Sequence, residues 1–100
     1  MMLTKEEILN FLSSKKEEFA REFQVSKLGI FGSYATDSPN ELSDVDILVE
    51  FEGNPSNLHE KKNQIREILS KRFKKEVDLC REKYIKPYFK EQITKTAIYV

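Results

Sequence analysis

The sequence predicts an α/β (α+β) fold in which a small mixed β-sheet is flanked by helices. Three observations predict this class: helical spacing of apolar residues near the N-terminus, strict alternation in residues 44–51, and a strand–helix–strand order from residue 44 to residue 80. A chain of 100 residues is near the commonest domain size. We therefore expect a single domain over residues 1–100.

The first helix is marked by its cap and by its apolar spacing. Thr4 and Glu7 have the spacing of a capping box. The predicted helix runs from about Lys5 to Glu22, and its apolar face is formed by Ile8, Phe11, Leu12, Phe19 and Phe23. A short strand, Val25–Phe31, should follow and lead into Gly32. Residues 37–40 read as a turn because they contain Asp, Ser, Pro and Asn.

The second half of the chain alternates strands and helices. Residues 44–51 form the clearest predicted strand, because apolar residues occupy every second position. Ser56 or Asn57 is expected to cap a helix that ends near Phe73. The remaining predicted elements are a strand over 76–80, a helix over 84–94 with Pro87 in its first turn, and a short edge strand over 97–100. The piece from 44 to 80 is long enough for a right-handed crossover between strands.

Composition and charge narrow the class of function. The chain is 39% apolar and 34% charged, with a net charge of zero, which is typical of a soluble globular protein and argues against nucleic-acid binding by the whole surface. Residues 37–52 hold six acids and no base, whereas residues 61–75 hold seven bases and one acid. We interpret the basic run as the solvated face of a helix, with a phosphate-binding or acidic-partner surface as the alternative.

Localisation signals are absent from the printed sequence. No apolar run approaches the roughly 18 residues that a membrane span requires, and residues 1–10 do not have the basic start and apolar stretch of a signal peptide. Cys80 stands alone, so it has no partner for an intrachain disulfide. We expect a cytoplasmic protein without a membrane association, in which Cys80 is a small core residue.

Three aspartates indicate a metal-binding site. Asp44 and Asp46 lie two apart in the predicted strand, so their carboxylates should leave the same face with Cα atoms roughly 6.5 Å apart. Asp78 lies in the next predicted strand and would complete an acidic triad on that face. Carboxylate oxygens without a Cys/His cluster favour magnesium over zinc. Two ions roughly 3.5–4 Å apart would suit phosphoryl chemistry.

Gly32 and Ser33 end the strand that precedes this triad. A glycine at this point lets the backbone approach a ligand without a side chain in the way, and Ser33 offers a hydroxyl and an N–H group to phosphates. If residues 34–37 form one helical turn, its unpaired N–H groups would also face a triphosphate.

These motifs resemble those of the nucleotidyltransferase superfamily, which includes DNA polymerase beta and the kanamycin nucleotidyltransferases. The resemblance is strongest to the minimal nucleotidyltransferase domains of prokaryotes, which are often paired with HEPN-domain toxins. The similar segments are spread over nearly the whole chain: 32–35, 43–49, 77–79 and 98–100.

The resemblance implies a polymerase beta palm-like fold and a function. It implies that Asp44, Asp46 and Asp78 hold two Mg²⁺ ions, that Asp78 serves as a base for the incoming hydroxyl, and that Gly32 and Ser33 hold the triphosphate of ATP or another NTP. The reaction would transfer an NMP group, with AMP favoured, to a hydroxyl of a HEPN-domain toxin, so that the chain acts as the antitoxin. Many relatives carry arginine in a G-S-x-A-R pattern, whereas this chain has Thr36 there.

Two other functions stay open at this point. A catalytically decayed module could neutralise its partner by contact alone, and Thr36 is the best support for that reading. A transferase that modifies nucleic acid would depend on the basic run at 71–75 and is the less favoured alternative. Tyr99 and Val100 could also contribute to a homodimer. We interpret His59 as an exposed polar residue, and Tyr84, Tyr88 and Phe89 as core or partner-facing residues.

Overall fold

The structure is a computed structural model that describes residues 3–39, 42–53 and 55–100. Its four helices and four strands alternate along the described chain, with one 3₁₀ turn before the last helix. In chain order the elements are α1 (Lys5–Phe23), β1 (Val25–Phe31), α2 (Gly32–Ala35), β2 (Val45–Phe51), α3 (Leu58–Phe73), β3 (Val77–Arg81), the 3₁₀ turn Glu82–Tyr84, α4 (Pro87–Thr96) and β4 (Ile98–Tyr99). The predicted mixed sheet with flanking helices is confirmed.

The four strands form one mixed sheet in the order β3-β2-β1-β4. β1 pairs antiparallel with both β2 and β4, whereas β2 pairs parallel with β3. Parallel neighbours cannot be joined by a tight turn, and α3 supplies the crossover connection between β2 and β3. The strand–helix–strand piece predicted from the sequence is therefore the centre of the fold.

The register divides the sheet into two faces, because residues paired across neighbouring strands project to the same side. One face carries most of the apolar core, and α1 and α3 contact β1 and β3 respectively. Buried residues contributed by the strands to this core are Leu28, Ile30, Val45, Ile47, Val49 and Val77, and those contributed by the two helices are Ile8, Leu12, Phe19, Phe23, Ile65, Leu69 and Phe73. The opposite face carries Phe31, Asp46, Leu48, Asp78 and Cys80.

Several predicted boundaries shift for local reasons. The Glu7 N–H donates to Thr4 Oγ1 at 3.1 Å, which confirms the predicted cap of α1. Of the two predicted caps of α3, Asn57 occupies the N-cap position, but it adopts a left-handed conformation and its side chain makes no capping hydrogen bond. The last helix starts at Pro87 instead of Tyr84, because proline suits the first helical position and the residue before it avoids helical geometry.

Two further expectations concern the turn after α2 and the absence of a membrane span. Asn40 belongs to the predicted turn over 37–40 but lies outside the described residues. Among the residues that the structure describes, no helix is long and apolar enough to cross a bilayer.

Ile65 gives a test of the core beneath the sheet. It is fully buried in α3, whereas its neighbour Gln64 is exposed. Ile65→Ala is expected to lower the free energy of unfolding by about 2–5 kcal/mol, because it removes buried methyl groups and leaves a cavity. Gln64→Ala should change it by less than about 0.5 kcal/mol. Urea denaturation followed by circular dichroism measures both values, and equal effects would contradict the described packing.

Candidate active site

Asp46 lies at the centre of the acidic cluster. It is in β2, where Phe31 of β1 is its partner on one side and Asp78 of β3 is its partner on the other. Register partners in adjacent strands lie about 4.8 Å apart and project to the same face. Asp46 and Asp78 are therefore neighbours on the face that α1 and α3 do not cover.

Asp44 precedes β2 by one residue and is exposed. Its segment is held in place by its neighbours: the Val45 N–H donates to the Glu76 carbonyl at 3.0 Å, and Lys75 Nζ donates to the Ser43 carbonyl at 3.1 Å. Lys75 thus ties the chain before Asp44 to the chain before β3. Sequence reasoning missed this contact, because residues 43 and 75 meet only through the parallel strand pairing.

The charges of Asp44 and Asp78 both act on Asp46. The pKa of Asp46 is raised from 3.8 to about 6, first by burial and then by the negative charges of Asp78 and Asp44. Burial and nearby like charges both disfavour the ionised form of a carboxyl group. A positive charge at this face would therefore stabilise the ionised form of Asp46.

Gly32 lies against the same carboxylate. Its φ angle is +73°, a left-handed conformation that residues with a side chain rarely adopt. A Cβ atom at this position would overlap Asp46 Oδ2 and would lie 3.1 Å from Asp46 Cγ. Glycine is therefore required here both by the backbone conformation and by the proximity of Asp46.

The helical turn after β1 begins earlier than the sequence predicted. We expected it over residues 34–37, whereas α2 spans Gly32–Ala35 and ends with the Thr36 N–H donating to the Gly32 carbonyl at 3.1 Å. Asp37 has a φ of +59°, so the helix cannot continue through it. Ser33 therefore lies within the first turn, half-buried beside Gly32.

Thr36 stands where the resembling proteins often have arginine, and its hydroxyl is used locally. Its Oγ1 lies 3.2 Å from the Gly32 carbonyl, 3.3 Å from the Ser33 carbonyl and 2.9 Å from Ser38 Oγ. It thus satisfies the end of α2 and supplies no positive charge. The adjacent Asp37 forms an ion pair with Lys5 at 3.0 Å.

The donor chemistry of the cluster fits magnesium. Within residues 3–39, 42–53 and 55–100, no three His, Cys, Asp or Glu side chains are arranged to hold a metal ion by themselves. Magnesium is usually bound through one or two carboxylates together with water and substrate phosphates, and does not need a complete protein cage. Carboxylate oxygens crowded around Asp46 match that requirement.

Two other residues considered in the sequence analysis are Cys80 and His59. Cys80 is half-buried on the same face as Asp78 and is not part of the apolar core, so the core interpretation was wrong. Burial, followed by the charges of Asp78 and Asp46, raises the pKa of the Cys80 thiol despite the opposing effect of Lys62. His59 is exposed at the start of α3.

Comparison with known proteins identifies the family to which the chain belongs. The model of the nucleotidyltransferase domain family matches residues 12–100, and the chain belongs to that family. One relative is the protein adenylyltransferase MntA of Thermococcus cleftensis, which is 38% identical over 99 residues, with 99% of this chain and 98% of the relative covered.

Solved structures agree with this assignment. A protein described as a minimal nucleotidyltransferase has 25% sequence identity and a TM-score of 0.79, covering 96% of this chain and 95% of its own. A crystal structure of a toxin–antitoxin with AMP-PNP has 18% identity and a TM-score of 0.66, covering 97% of this chain and 72% of its own. The second likeness shows the fold alone.

The contact between Gly32 and Asp46 can be tested with a matched pair of glycines. Gly53 also has a positive φ, of +65°, but a Cβ there would have no described atom within 4 Å. Gly53→Ala should therefore cost about 1 kcal/mol of stability from backbone strain alone. Gly32→Ala should cost about 1–3 kcal/mol more, because the methyl group must displace Asp46. Thermal unfolding measures both, and equal losses would show that the overlap is relieved without cost.

The raised pKa of Asp46 predicts a pH dependence of the metal-free protein. The native state binds this proton more tightly than the unfolded chain, so the free energy of unfolding should fall as pH rises from about 4 to about 6. Asp46→Asn removes that contribution and should be as stable as the parent, or more stable, at pH 7. Glu52→Gln removes the same charge from an exposed position beyond β2 and serves as the control. Urea titrations across pH in EDTA measure these values; a large loss of stability in Asp46→Asn at pH 7 would assign Asp46 a structural role.

Proposed function

We propose that this chain is a Mg²⁺-dependent nucleotidyltransferase that transfers an NMP group, with AMP favoured, from ATP or another NTP to a hydroxyl on a partner protein. The observation that supports this proposal most is the proximity of Asp44 and Asp78 to Asp46, which itself lies directly beside Gly32. The relative named protein adenylyltransferase MntA supports the choice of AMP and of a protein acceptor. The proposed setting is the cytoplasm.

Asp44, Asp46 and Asp78 would hold two Mg²⁺ ions. When bound, the ions would lower the pKa of the attacking hydroxyl and neutralise the leaving phosphates. The raised pKa of Asp46 supports this role, because a carboxylate destabilised by its neighbours is stabilised by a cation. Asp44 and Asp78 are exposed and therefore accessible to a substrate.

The other residues of the site would position the reactants. Gly32 lets the backbone pass directly against Asp46, and Ser33 offers a hydroxyl and an N–H group from the first turn of α2. The acceptor oxygen would form a bond to the α-phosphorus while the bond to the bridging oxygen breaks and pyrophosphate leaves. Asp78 would take the proton of the hydroxyl. Catalysis would thus depend mainly on positioning and charge.

The acceptor is proposed to be a HEPN-domain toxin, which the transfer would silence, so that this chain acts as an antitoxin. The structural likeness to a toxin–antitoxin with AMP-PNP supports a partner of this kind. The exposure of Asp44 and Asp78 supports an acceptor that comes from outside the chain.

One observation favours a second candidate, a module that neutralises its partner by binding alone. The Thr36 hydroxyl is occupied by the end of α2, so this position offers no cation to a triphosphate. Lys75, whose Nζ donates to the Ser43 carbonyl at 3.1 Å, places a positive charge at the Asp44 segment in its stead.

Transfer can be measured with ATP labelled at the α-phosphate, Mg²⁺ and the purified HEPN-domain protein. The wild-type chain is expected to label the protein, while Asp46→Asn and Asp78→Asn should each reduce the rate at least about 100-fold, because each removes a proposed metal ligand. Glu52→Gln is the charge-matched control and should retain activity.

The same experiment separates the alternatives. A toxin that is neutralised by the wild-type chain without receiving label would establish the binding module. Label on added RNA in place of the protein would establish a nucleic-acid acceptor. Unchanged labelling by Asp46→Asn would show that the acidic cluster is not the reaction centre.

A further inference from the structure

The segment between α3 and β3 is fixed at both of its ends. On the helix side, Lys74 ends α3 with a φ angle of 56°, and its N–H donates to the Ser70 carbonyl at 2.8 Å. The Ser70 hydroxyl donates to the Lys75 carbonyl at 2.7 Å. On the strand side, Val77 begins β3 and pairs with Val45 of β2. The backbone between helix and sheet therefore has a defined course.

Two hydrogen bonds connect this segment to the residues on either side of Asp44. Lys75 Nζ donates to the Ser43 carbonyl at 3.1 Å, and the Val45 N–H donates to the Glu76 carbonyl at 3.0 Å. The second bond continues the parallel pairing of β2 with β3, whereas the first is made by a side chain outside both strands. Asp44 therefore lies between two anchored neighbours.

Lys75 differs from a typical base of its sequence segment. Most of the basic run over 61–75 lies within α3, and Lys71 shows the usual arrangement. It pairs with Glu67 one turn away in the same helix at 3.4 Å, and both side chains are largely exposed. The contact of Lys75 with Ser43 spans 32 residues of the chain and is partly buried. The interpretation as a solvated helix face thus fits Lys71, whereas Lys75 lies beyond the helix.

Asp44 has less support from the sheet than the other two aspartates. It precedes β2 by one residue, whereas Asp46 and Asp78 lie within paired strands. Displacing a reacting group by about 1 Å can lower a rate about 100-fold. Residues that hold metal ligands in place contribute about 10- to 100-fold to metal affinity or activity. A contact that fixes the Asp44 segment is therefore important to the site.

We propose that Lys75 is a positioning residue: its bond to the Ser43 carbonyl holds the Asp44 carboxylate where it can share metal ions with the other two aspartates. This inference rests on the proposed function and adds a residue that supports the site without touching the substrate. A hydrogen bond from an ammonium group is stronger than one between neutral groups, which suits a contact that must fix a chain segment.

The position and the charge of Lys75 have opposite effects on metal binding. An ammonium group near the site repels a metal ion, so removing its charge without any other change should tighten metal binding. Removing a bond that holds a ligand in place should weaken metal binding. A loss of metal affinity in an uncharged variant of Lys75 therefore identifies positioning and cannot come from the charge itself.

Mn²⁺ is a suitable probe, because it takes carboxylate and water ligands as Mg²⁺ does. The electron paramagnetic resonance signal of the free ion measures its binding to the chain without nucleotide or acceptor. Lys75→Met keeps the aliphatic chain, removes the ammonium group and should weaken Mn²⁺ binding about tenfold or more. Lys75→Arg can still donate to the carbonyl and should bind within about threefold of wild type. Lys71→Met removes the same charge from an exposed position and should bind as wild type or slightly tighter.

Two further variants test the path from Lys75 to Asp44. Ser70→Ala removes the hydroxyl that holds the Lys75 carbonyl and changes no charge, and it should weaken Mn²⁺ binding about threefold. It supplies the test if Lys75→Met does not fold. In an Asp44→Asn background, Lys75→Met should change Mn²⁺ binding by less than about twofold, because the ligand that it positions is already lost. Circular dichroism in EDTA establishes that each variant is folded.

The transfer assay separates this inference from the proposed function. If Lys75→Met weakens Mn²⁺ binding but the wild-type chain labels no acceptor, the proposed reaction fails and the positioning role stands. If the wild-type chain labels the acceptor but Lys75→Met binds Mn²⁺ unchanged, the positioning role fails and the proposed reaction stands.

Four results would overturn the positioning role of Lys75. They are absence of Mn²⁺ binding to the wild-type chain, unchanged or tighter binding in Lys75→Met, an equal loss in Lys71→Met, and a loss in Lys75→Met that persists undiminished in the Asp44→Asn background. Weaker binding in Lys75→Met and Ser70→Ala together, with binding retained in Lys75→Arg, would support it.

Discussion

The candidate site depends on the parallel pairing of β2 with β3. This pairing sets Asp46 opposite Asp78, and the crossover helix α3 makes it possible. A slip of one residue in the register would turn Asp78 to the opposite face, among the apolar residues of the core. The proximity of Asp46 and Asp78 is therefore a property of the sheet. Burial raises the pKa of Asp46 most, and the charges of Asp78 and Asp44 raise it further.

The core on the other face keeps that register. Val45 pairs with Val77 and Ile47 pairs with Leu79, so the aspartate of each strand is flanked by apolar residues that face the core. A shifted strand would expose apolar side chains to water and bury charges, and each change is costly. Burial of apolar side chains between the sheet and helices α1 and α3 thus offsets the repulsion among the carboxylates on the opposite face.

The two ends of the sheet have opposite electrostatic character. The end with Asp44, Asp46 and Asp78 is acidic and suits cations, whereas the end with Arg81 and Lys90 retains positive charge. Helix α4 contacts α2 and β1, so it links the two regions. A net charge of zero therefore conceals a division of charge between the two ends of the sheet.

The sequence by itself determined the bounds of α1 and β1 to within a residue and the spacing of Asp44 and Asp46, because capping and periodicity are local properties. It also indicated the family, through short segments that are each continuous in the chain, at 32–35, 43–49, 77–79 and 98–100. Only the tertiary structure decided that Gly32 is required by Asp46, that Lys75 holds the Ser43 segment, and that α4 stays exposed. Those facts depend on contacts between residues that are distant in sequence, and local patterns do not encode such contacts.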